Sequence, residues 1–362
     1  MMSAVGDVRL AVGTLIESAR ARRREKSAKK LHRFSAQRLQ KLNQRQRDSV
    51  PGPENLLLQE SSASTGIRST VPKNWRDTLR LTGATMDRVW RAYGVSRMST
   101  IYWISNDRTF QHPFYPAHQP LFRYFLFAPL DMQLAAKQVE AIHPEVLAGQ
   151  PADLLAFSEL SSLETVRIII SFADLLDSQT RRTLESRFNA PVCDLYVASE
   201  FSTPIAFQCP DGQMHINCDY VRVDLHPVSP TLYSVSCTDL CNYIDPLISY
   251  SIGDIIVSDG SACSCGSALP NFLRVEGRQQ AFVTPRTGEK LYARSFLDQI
   301  GLAARDIRVC VQRDQVEIKL RRGFRMTEDT RSKVDDVFSD WTLGQPFDQK
   351  PGTKCRVIVR SG

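Results

Sequence analysis

Apolar positions recur with helical spacing in three parts of this 362-residue chain. Residues 8–48 contain good helix formers, with apolar side chains at three- to five-residue steps, and residues 75–95 also predict a helix. Residues 131–163 predict two helical stretches, one on each side of His143. The first half of the chain is therefore expected to be largely helical.

Two continuous apolar runs in the middle of the chain indicate buried strands. They are VRIIISF (166–172) and PVCDLYVAS (191–199), and runs of this kind are typical of strands covered on both faces. A helix is predicted between them at 178–188, with Asp177 or Ser178 as its N-cap. This strand–helix–strand succession predicts a parallel α/β layer.

From Phe207 the pattern changes to alternating positions, which predict strands at 214–225, 231–240 and 246–260. Beyond Arg278 the order is one strand (308–320), one helix (327–341) and one strand (354–362). The predicted fold is α/β, with a large N-terminal domain that joins a parallel and a β-rich part to a small α+β C-terminal domain. The predicted division is a basic helical segment (1–50), a large domain (51–277) and a small mobile domain (278–362), with Gly277-Arg278 as the hinge.

Composition is ordinary for a globular protein, with 42% apolar and 23% charged residues. The net charge of +7 is concentrated between Ala19 and Arg47. This basic stretch is either the solvated side of a helix or a surface for an anionic partner, so nucleic acid is a weak expectation.

The chain has no run of 18 apolar residues, and its N-terminal charges follow the apolar part instead of preceding it. We therefore expect no membrane partner, no secretory signal and a cytoplasmic location. In that compartment the nine cysteines are expected to be reduced, and clustered ones are metal ligands or core residues.

A loop of small and hydroxyl residues, SSASTG (61–66), could bring backbone N–H groups close to a phosphate. It lacks the lysine and the glycine spacing of a P-loop, and a flexible connector has the same composition. Two carboxylates end strands: Glu200 could hold Mg²⁺ or cap a helix, and Asp254 could accept ribose hydroxyls or serve a turn. Lys354, after Pro351-Gly352, either neutralises charge in a closing site or is a solvated turn lysine.

Cysteine and histidine spacing suggests a metal site. Cys263 and Cys265 form a two-thiol knuckle, and Cys209 and His215 flank the tip of a predicted hairpin. Three thiolates and one imidazole suit a closed tetrahedral structural zinc site. Unrelated buried thiols are the alternative, and Cys218 is the rival ligand.

Taken in order, these pieces resemble the adenylate-forming superfamily, and more narrowly its phenylacetate–CoA ligase-like branch, which includes CapK-type proteins. The similar segments span residues 55–357 and are collinear. They are SSASTG, HPEVLAGQPADLLAFSEL, VRIIISFADLLDSQTRRTLESRF, DLYVASEF, CPDGQMHIN, TDLCNYIDPLISYSIGDI, CSCG, RVEGR and PGTK.

The resemblance implies that a carboxylic acid attacks the α-phosphate of ATP and that the acyl adenylate passes to an amine or a thiol, CoA being one candidate. It also implies Mg²⁺ and a structural Zn²⁺ as cofactors. The implied phosphate loop consists of Ser62, Ser64, Thr65 and Gly66. The implied nucleotide contacts are Asp194, Tyr196, Asp254 and Arg278, the implied catalytic residues are Glu200 and Lys354, and the implied zinc ligands are Cys209, His215, Cys263 and Cys265.

The chain also departs from the family pattern. Ala63 replaces a glycine of the loop, Ser249 and Ser251 stand where the family has arginines, and Ala173-Asp174 replaces a Gly-Glu pair. Three functions follow: an ATP-dependent ligase, a degenerate member that only binds nucleotide or acyl adenylate, and a zinc-stabilised basic protein that contacts nucleic acid. The walls of the acid pocket are expected to come from the aromatic stretch 110–127 and from the region near Ala173.

Overall fold

Helices and short strands alternate along most of this computed structural model, which describes residues 4–45, 56–60, 70–104, 124–127, 132–313, 315–350 and 353–361. The first elements are α1 (Ala4–Glu25), α2 (Ala28–Arg45), β1 (Leu56–Glu60), β2 (Thr70–Asn74), α3 (Trp75–Ala92), β3 (Ile101–Ile104), β4 (Tyr124–Phe127), α4 (Met132–Ile142), β5 (Val146–Gly149), α5 (Pro151–Ser158), β6 (Ile168–Phe172), α6 (Ser178–Phe188) and β7 (Val192–Tyr196).

Strands dominate the remainder of the chain. They begin with β8 (Ala206–Gln208), β9 (Met214–Ile216), β10 (Val221–Pro227), β11 (Leu232–Asp239), β12 (Tyr250–Val257), β13 (Asn271–Phe272) and β14 (Arg274–Arg278). The last elements are β15 (Phe282–Val283), β16 (Leu291–Tyr292), α7 (Ala293–Ile300), β17 (Ile307–Gln312), β18 (Gln315–Leu320), α8 (Glu328–Val337), β19 (Thr342–Leu343) and β20 (Ile358–Ser361).

The largest sheet has eight strands in the order β13-β9-β8-β7-β6-β5-β3-β4. The strands from β7 to β4 are parallel neighbours, and β8, β9 and β13 extend the sheet in antiparallel fashion. Successive residues of β6 face opposite sides: Ile169 packs in one apolar cluster, and Ile168 and Ile170 pack in another. The predicted parallel α/β layer is therefore confirmed, and both of its faces are covered.

The two helical stretches predicted over 131–163 are present as α4 and α5, but the structure places between them a strand that was not predicted. Helix α4 ends at Ile142, His143 takes a left-handed conformation (φ 50°), and β5 follows as a parallel neighbour of β3 and β6. The sequence of β5, VLAG, is wholly buried but only four residues long and without an alternating pattern. Such a short apolar run cannot be told from a helix by periodicity.

Two other predicted strands are each divided into two. The stretch 214–225 forms β9 in the large sheet and β10 in the sheet β10-β11-β12-β14. The stretch 308–320 is a hairpin, because the chain reverses next to Arg313 at φ 52° and β17 pairs with β18. In both stretches the sequence between the two strands interrupts the alternation without glycine or proline.

The C-terminal elements surround an apolar cluster of their own. The sheet β19-β18-β17-β20 packs on α7 and α8 through side chains such as Phe296, Val309 and Val334. This agrees with the predicted α+β unit. Gly277 adopts φ 138°, and a Cβ there would lie 3.3 Å from the Cβ of Ala293, so the residue at the predicted hinge has little alternative to glycine.

The basic N-terminal segment forms two helices, and part of its charge is buried. Arg24, from α1, is 9% exposed and donates to Asp219 over 2.8 and 2.9 Å. Arg88, from α3, donates to the same carboxylate over 2.8 and 2.9 Å. A solvated basic side was therefore the wrong expectation for Arg24. Among the described residues, no helix is long and apolar enough to cross a membrane.

Candidate functional site

Three predicted nucleotide residues meet between β7, β12 and β14. The Tyr196 hydroxyl donates to Oδ2 of Asp254 over 2.8 Å, and Nη1 of Arg278 lies 3.2 Å from Oδ1 of the same carboxylate. Asp254 and Arg278 are direct partners in the antiparallel β12–β14 register. Gly253, at φ 78°, lets the strand turn just before Asp254. The arrangement offers a carboxylate held at both of its oxygens.

Burial raises the pKa of Asp254, while the Arg278 charge, the Tyr196 hydrogen bond and the Lys354 charge oppose this rise. Burial also raises the pKa of Tyr196 well above its ordinary value, and the nearby Asp254 carboxylate adds to the effect. Tyr196 is therefore a neutral donor. A carboxylate oriented in this way can accept hydroxyl groups of a sugar.

Asp194 lies two residues before Tyr196 on β7, hence on the same side of the strand. Its Oδ1 accepts a hydrogen bond from the Ser171 hydroxyl over 3.1 Å. Burial raises the pKa of Asp194, and the charge of Arg294 is the largest opposing influence. Arg294 is 8% exposed, and its Nε has no hydrogen-bond partner among the described residues. Sequence reasoning missed Arg294, which has no motif around it.

Glu200 follows β7 and is half-buried, with the Ser199 hydroxyl 3.5 Å from its Oε2. The ammonium of Lys73, on β2, fixes the backbone on both sides of this residue. It donates to the carbonyl of Ser199 and, over 2.6 Å, to that of Phe201. The backbone that carries Glu200 is therefore fastened by a lysine that the sequence analysis did not single out.

Lys73 is 0% exposed and also donates to Oε1 of Gln59 on β1 over 2.9 Å. Burial lowers its pKa to about 8, although the charges of Asp239 and Glu200 oppose that change. The spacing in the sequence was one signal of this burial: in the strand TVPKN, Lys73 is two positions after Val71 and lies on the same buried face.

The predicted phosphate loop, with Ser62, Ser64, Thr65 and Gly66, lies outside the described residues, as does Ala63. The two strands that flank it are described: β1 and β2 are antiparallel, and Glu60 is paired with Thr70. Most of the aromatic stretch 110–127 also lies outside the described residues.

Lys354 is half-buried close to the same site. Burial lowers its pKa; the charge of Arg278 acts in the same direction, and the carboxylates of Asp174, Asp254 and Glu200 oppose it. Lys354 is thus within electrostatic range of these three carboxylates.

Asp174 holds the backbone next to Lys354. Its Oδ2 accepts a hydrogen bond from the Cys355 N–H over 2.6 Å, and its Oδ1 accepts one from the Leu175 N–H over 2.9 Å. Burial raises the pKa of Asp174 to about 6 against these bonds and the Lys354 charge. Ala173 takes a φ of 68°, a conformation that favours the glycine of the family pattern.

The two serines in place of family arginines are exposed. The Ser249 N–H donates to Oγ1 of Thr238 over 2.9 Å, and Ser251 is paired with Ser236 across β11 and β12. These positions supply no cationic charge to the site.

The four predicted zinc ligands are brought together. The ligand atoms of Cys209, His215, Cys263 and Cys265 all lie within 4.8 Å of one another. The two sulfur atoms of Cys209 and Cys263 are 3.6 Å apart, and Sγ of Cys265 is 3.2 Å from Nε2 of His215. These separations suit a tetrahedral zinc ion, whose bonds of roughly 2.3 Å to sulfur place two sulfurs about 3.8 Å apart.

Neighbouring groups orient these side chains for a metal. Nδ1 of His215 faces the Leu269 carbonyl at 3.2 Å, which assigns the proton to Nδ1 and leaves Nε2 as the ligand atom. The Ser264 hydroxyl donates to Oδ2 of Asp211 over 2.6 Å and joins the knuckle to the hairpin turn. Cys218 is not in the group; it packs against two apolar clusters instead. The donor set fits structural zinc.

Comparison with solved structures identifies the fold. A 2-hydroxyisobutyryl-CoA ligase in complex with 2-HIB-AMP superimposes with a TM-score of 0.69 at 15% identity, over 86% of this chain and 74% of that one. ATP-bound MatB from Rhodopseudomonas palustris gives 0.61 at 14% identity, over 84% and 67%. The amide bond synthetase McbA from Marinactinospora thermotolerans gives 0.58 at 14%, over 85% and 70%.

The chain therefore has the fold of adenylate-forming ligases. No family model and no curated protein matches the sequence.

Proposed function

We propose that this chain is an ATP-dependent carboxylate ligase of the adenylate-forming superfamily, in the phenylacetate–CoA ligase-like, CapK-type branch. It activates a carboxylic acid as the acyl adenylate and transfers the acyl group to an amine or a thiol, in a biosynthetic reaction. The main support is the convergence of Tyr196, Asp254 and Arg278 with Lys354 in a fold shared with ligases that bind acyl adenylates and ATP.

In this proposal the Asp254 carboxylate accepts the ribose hydroxyls, with Tyr196 and Arg278 fixing its orientation. Asp194 and Tyr196 line the adenine pocket. The SSASTG loop holds the phosphates through Ser62, Ser64, Thr65 and Gly66. Bound Mg²⁺ would neutralise phosphate charge, with Glu200 as its protein ligand.

Lys354 has the central chemical role. Its ammonium contacts both the attacking carboxylate and the α-phosphate, where the new C–O–P linkage forms as pyrophosphate leaves. Positioning and charge neutralisation supply the rate enhancement, and no protein nucleophile is needed. The acceptor amine or thiol, CoA among the candidates, then attacks the acyl carbon and releases AMP.

We further propose that residues 51–277 form the large domain and that residues 278–362 form a small mobile domain after the basic segment 1–50. Rotation about Gly277-Arg278 would separate the two half-reactions. Cys209, His215, Cys263 and Cys265 hold a structural zinc ion. The partners are small molecules in the cytoplasm, without a membrane or nucleic acid.

One observation favours a second function. Exposed Ser249 and Ser251 stand where the family has arginines, so two positive charges are missing. This absence suits a degenerate member that only binds nucleotide or acyl adenylate. ATP–pyrophosphate exchange over a broad panel of carboxylic acids separates the two functions, with mass analysis of the adenylate. A ligase gives acid-dependent exchange that Lys354→Ala abolishes and exposed Lys333→Ala preserves. ATP binding without exchange for any acid would support the binder instead.

A further inference from the structure

A basic cavity of about 400 Å³ lies beside Lys354 on the C-terminal sheet. Arg308 and Cys310 of β17 line it, and they alternate with buried Ile307 and Val309, so the cavity is on the sheet face opposite the apolar cluster. Its lining carries five cationic side chains and one carboxylate: Arg308, Lys319, Lys350, Lys354, Arg356 and Asp348.

Two of these cations are placed directly against each other. Arg308 and Lys319 are opposite partners in the β17–β18 register, an arrangement in which like charges destabilise a sheet. Glu317 lies 3.1 Å from Lys319, and the Asp348 carboxylate is 2.9 Å from Nε of Arg322, which is not part of the lining. Lys319 is therefore paired with a carboxylate, whereas Arg308 has no ion-pair partner among the described residues.

The guanidinium of Arg308 has a fixed plane and an N–H donor without an acceptor among the described residues. Its Cζ lies 4.4 Å from the centre of the Phe347 ring, so stacking on the ring fixes its plane. Its buried Nε has no hydrogen-bond partner among the described residues, which is costly for an N–H group. Guanidinium donors match the geometry of phosphate oxygens.

We propose that this cavity binds a phosphate group. Because Lys354 lines the cavity and also interacts with Asp254, the phosphate lies next to the nucleotide site. The phosphate comes either from pyrophosphate released by adenylation or from an acceptor that carries phosphate, such as CoA. The choice between these sources rests on the proposed function, whereas the binding site itself does not.

Calorimetry on the full chain tests the site with inorganic pyrophosphate, CoA and pantetheine as probes. Pantetheine has the same thiol as CoA but no phosphate. In Arg308→Met we expect the affinity for pyrophosphate, for CoA or for both to fall about tenfold or more, because charge-assisted bonds are lost. Lys333→Met, on α8 and outside the cavity lining, is the matched control and keeps wild-type affinity.

The outcomes separate the sources. If Arg308→Met loses affinity only for pyrophosphate, the bound phosphate comes from the reaction product. If it loses affinity for CoA but not for pantetheine, the phosphate comes from the acceptor. Lys319→Met repeats the test if Arg308→Met does not fold. The site is refuted if the wild type binds neither phosphate probe, or if both variants bind them as the control does. Anion binding through Arg308 in a chain that never forms an adenylate would refute the ligase function and leave the site standing.

Discussion

The hydroxyl of Tyr196 and the carboxylate of Asp254, 58 residues apart in the chain, are joined by a hydrogen bond of 2.8 Å. Tyr196→Phe removes this donor and leaves Arg278 as the group that orients the carboxylate. We expect the dissociation constant for ATP to rise roughly three- to tenfold, as for the loss of one hydrogen bond. Equilibrium titration with ATP measures it.

Tyr93→Phe is the matched control, because Tyr93 donates to the Gln208 carbonyl over 3.1 Å, outside the nucleotide site. Both variants are expected to lose a similar free energy of unfolding. Equal ATP affinities in the two variants would contradict the role assigned to Asp254.

Asp174 predicts a pH dependence. Its pKa of about 6 lies above the ordinary 3.8, so the folded protein binds the extra proton between these values. The contribution of Asp174 to the free energy of unfolding therefore decreases as the pH rises from about 4 to about 6. The rate of adenylation is expected to rise with pH over this range, because only the ionised Asp174 carboxylate attracts Lys354 and accepts strongly from the Cys355 N–H.

We expect the rate of pyrophosphate exchange to rise through pH 6 in the wild type and to be lower and flatter in Asp174→Asn. Steady-state profiles between about pH 5 and 8 and denaturant titrations at the same values check both statements. An unchanged inflection in Asp174→Asn would assign the titration to another group.

The Cys/His group predicts metal content. Purified protein should contain about one zinc ion per chain by elemental analysis, as four converging ligands require. Cys263→Ser should lose most of this zinc and unfold at a lower temperature, because a structural metal contributes folding free energy. Cys218→Ser, the rival outside the group, should retain the metal. Equal zinc contents in the two variants would refute the site.

Replacing Lys73 is expected to lower the turnover number without lowering the stability of the fold. Lys73→Met removes the donor to the carbonyls of Ser199 and Phe201, and we expect the turnover number to fall about tenfold as Glu200 loses its fixed backbone. The unfolding free energy should change little, because the apolar side chain avoids the cost of burying an ammonium.

Hydrogen exchange of the amides from Ser199 to Phe201 gives an independent readout, and it should accelerate in Lys73→Met. Lys73→Arg, which retains a cation and its donors, is expected to recover part of the protection. Unaltered exchange in Lys73→Met would show that the lysine does not position this segment.

Local patterns in the sequence were enough to predict several elements. Helix α6 begins after Asp177, whose side chain accepts from the Thr180 N–H over 2.7 Å, and the apolar runs on either side are β6 and β7. Here the signals are a capping residue and continuous apolar stretches, both contained in a few neighbouring residues. Motif order also brought Cys209 and Cys263 into one prediction, and the structure brings them together.

Features made by distant residues could not be predicted. Arg24 and Arg88 share Asp219 across 195 and 131 positions, and nothing local distinguishes these arginines from solvated ones. Lys73 bonds to Ser199 across 126 positions, so its burial depends on a strand pairing that its own segment does not encode. Strand β5 was missed because four small or apolar residues carry no period.

The shared Asp219 has a consequence for ionic strength. Its side chain is 0% exposed and those of its two arginine partners are 11% and 1% exposed, so dissolved ions cannot enter between these charges. Screening lowers the attraction of exposed pairs such as Arg222 and Asp224 over a Debye length of roughly 10 Å at 0.1 M salt, but it acts weakly on buried ones. The first helix therefore stays attached to α3 in concentrated salt, where an electrostatic contact with a solvated anionic partner would be lost.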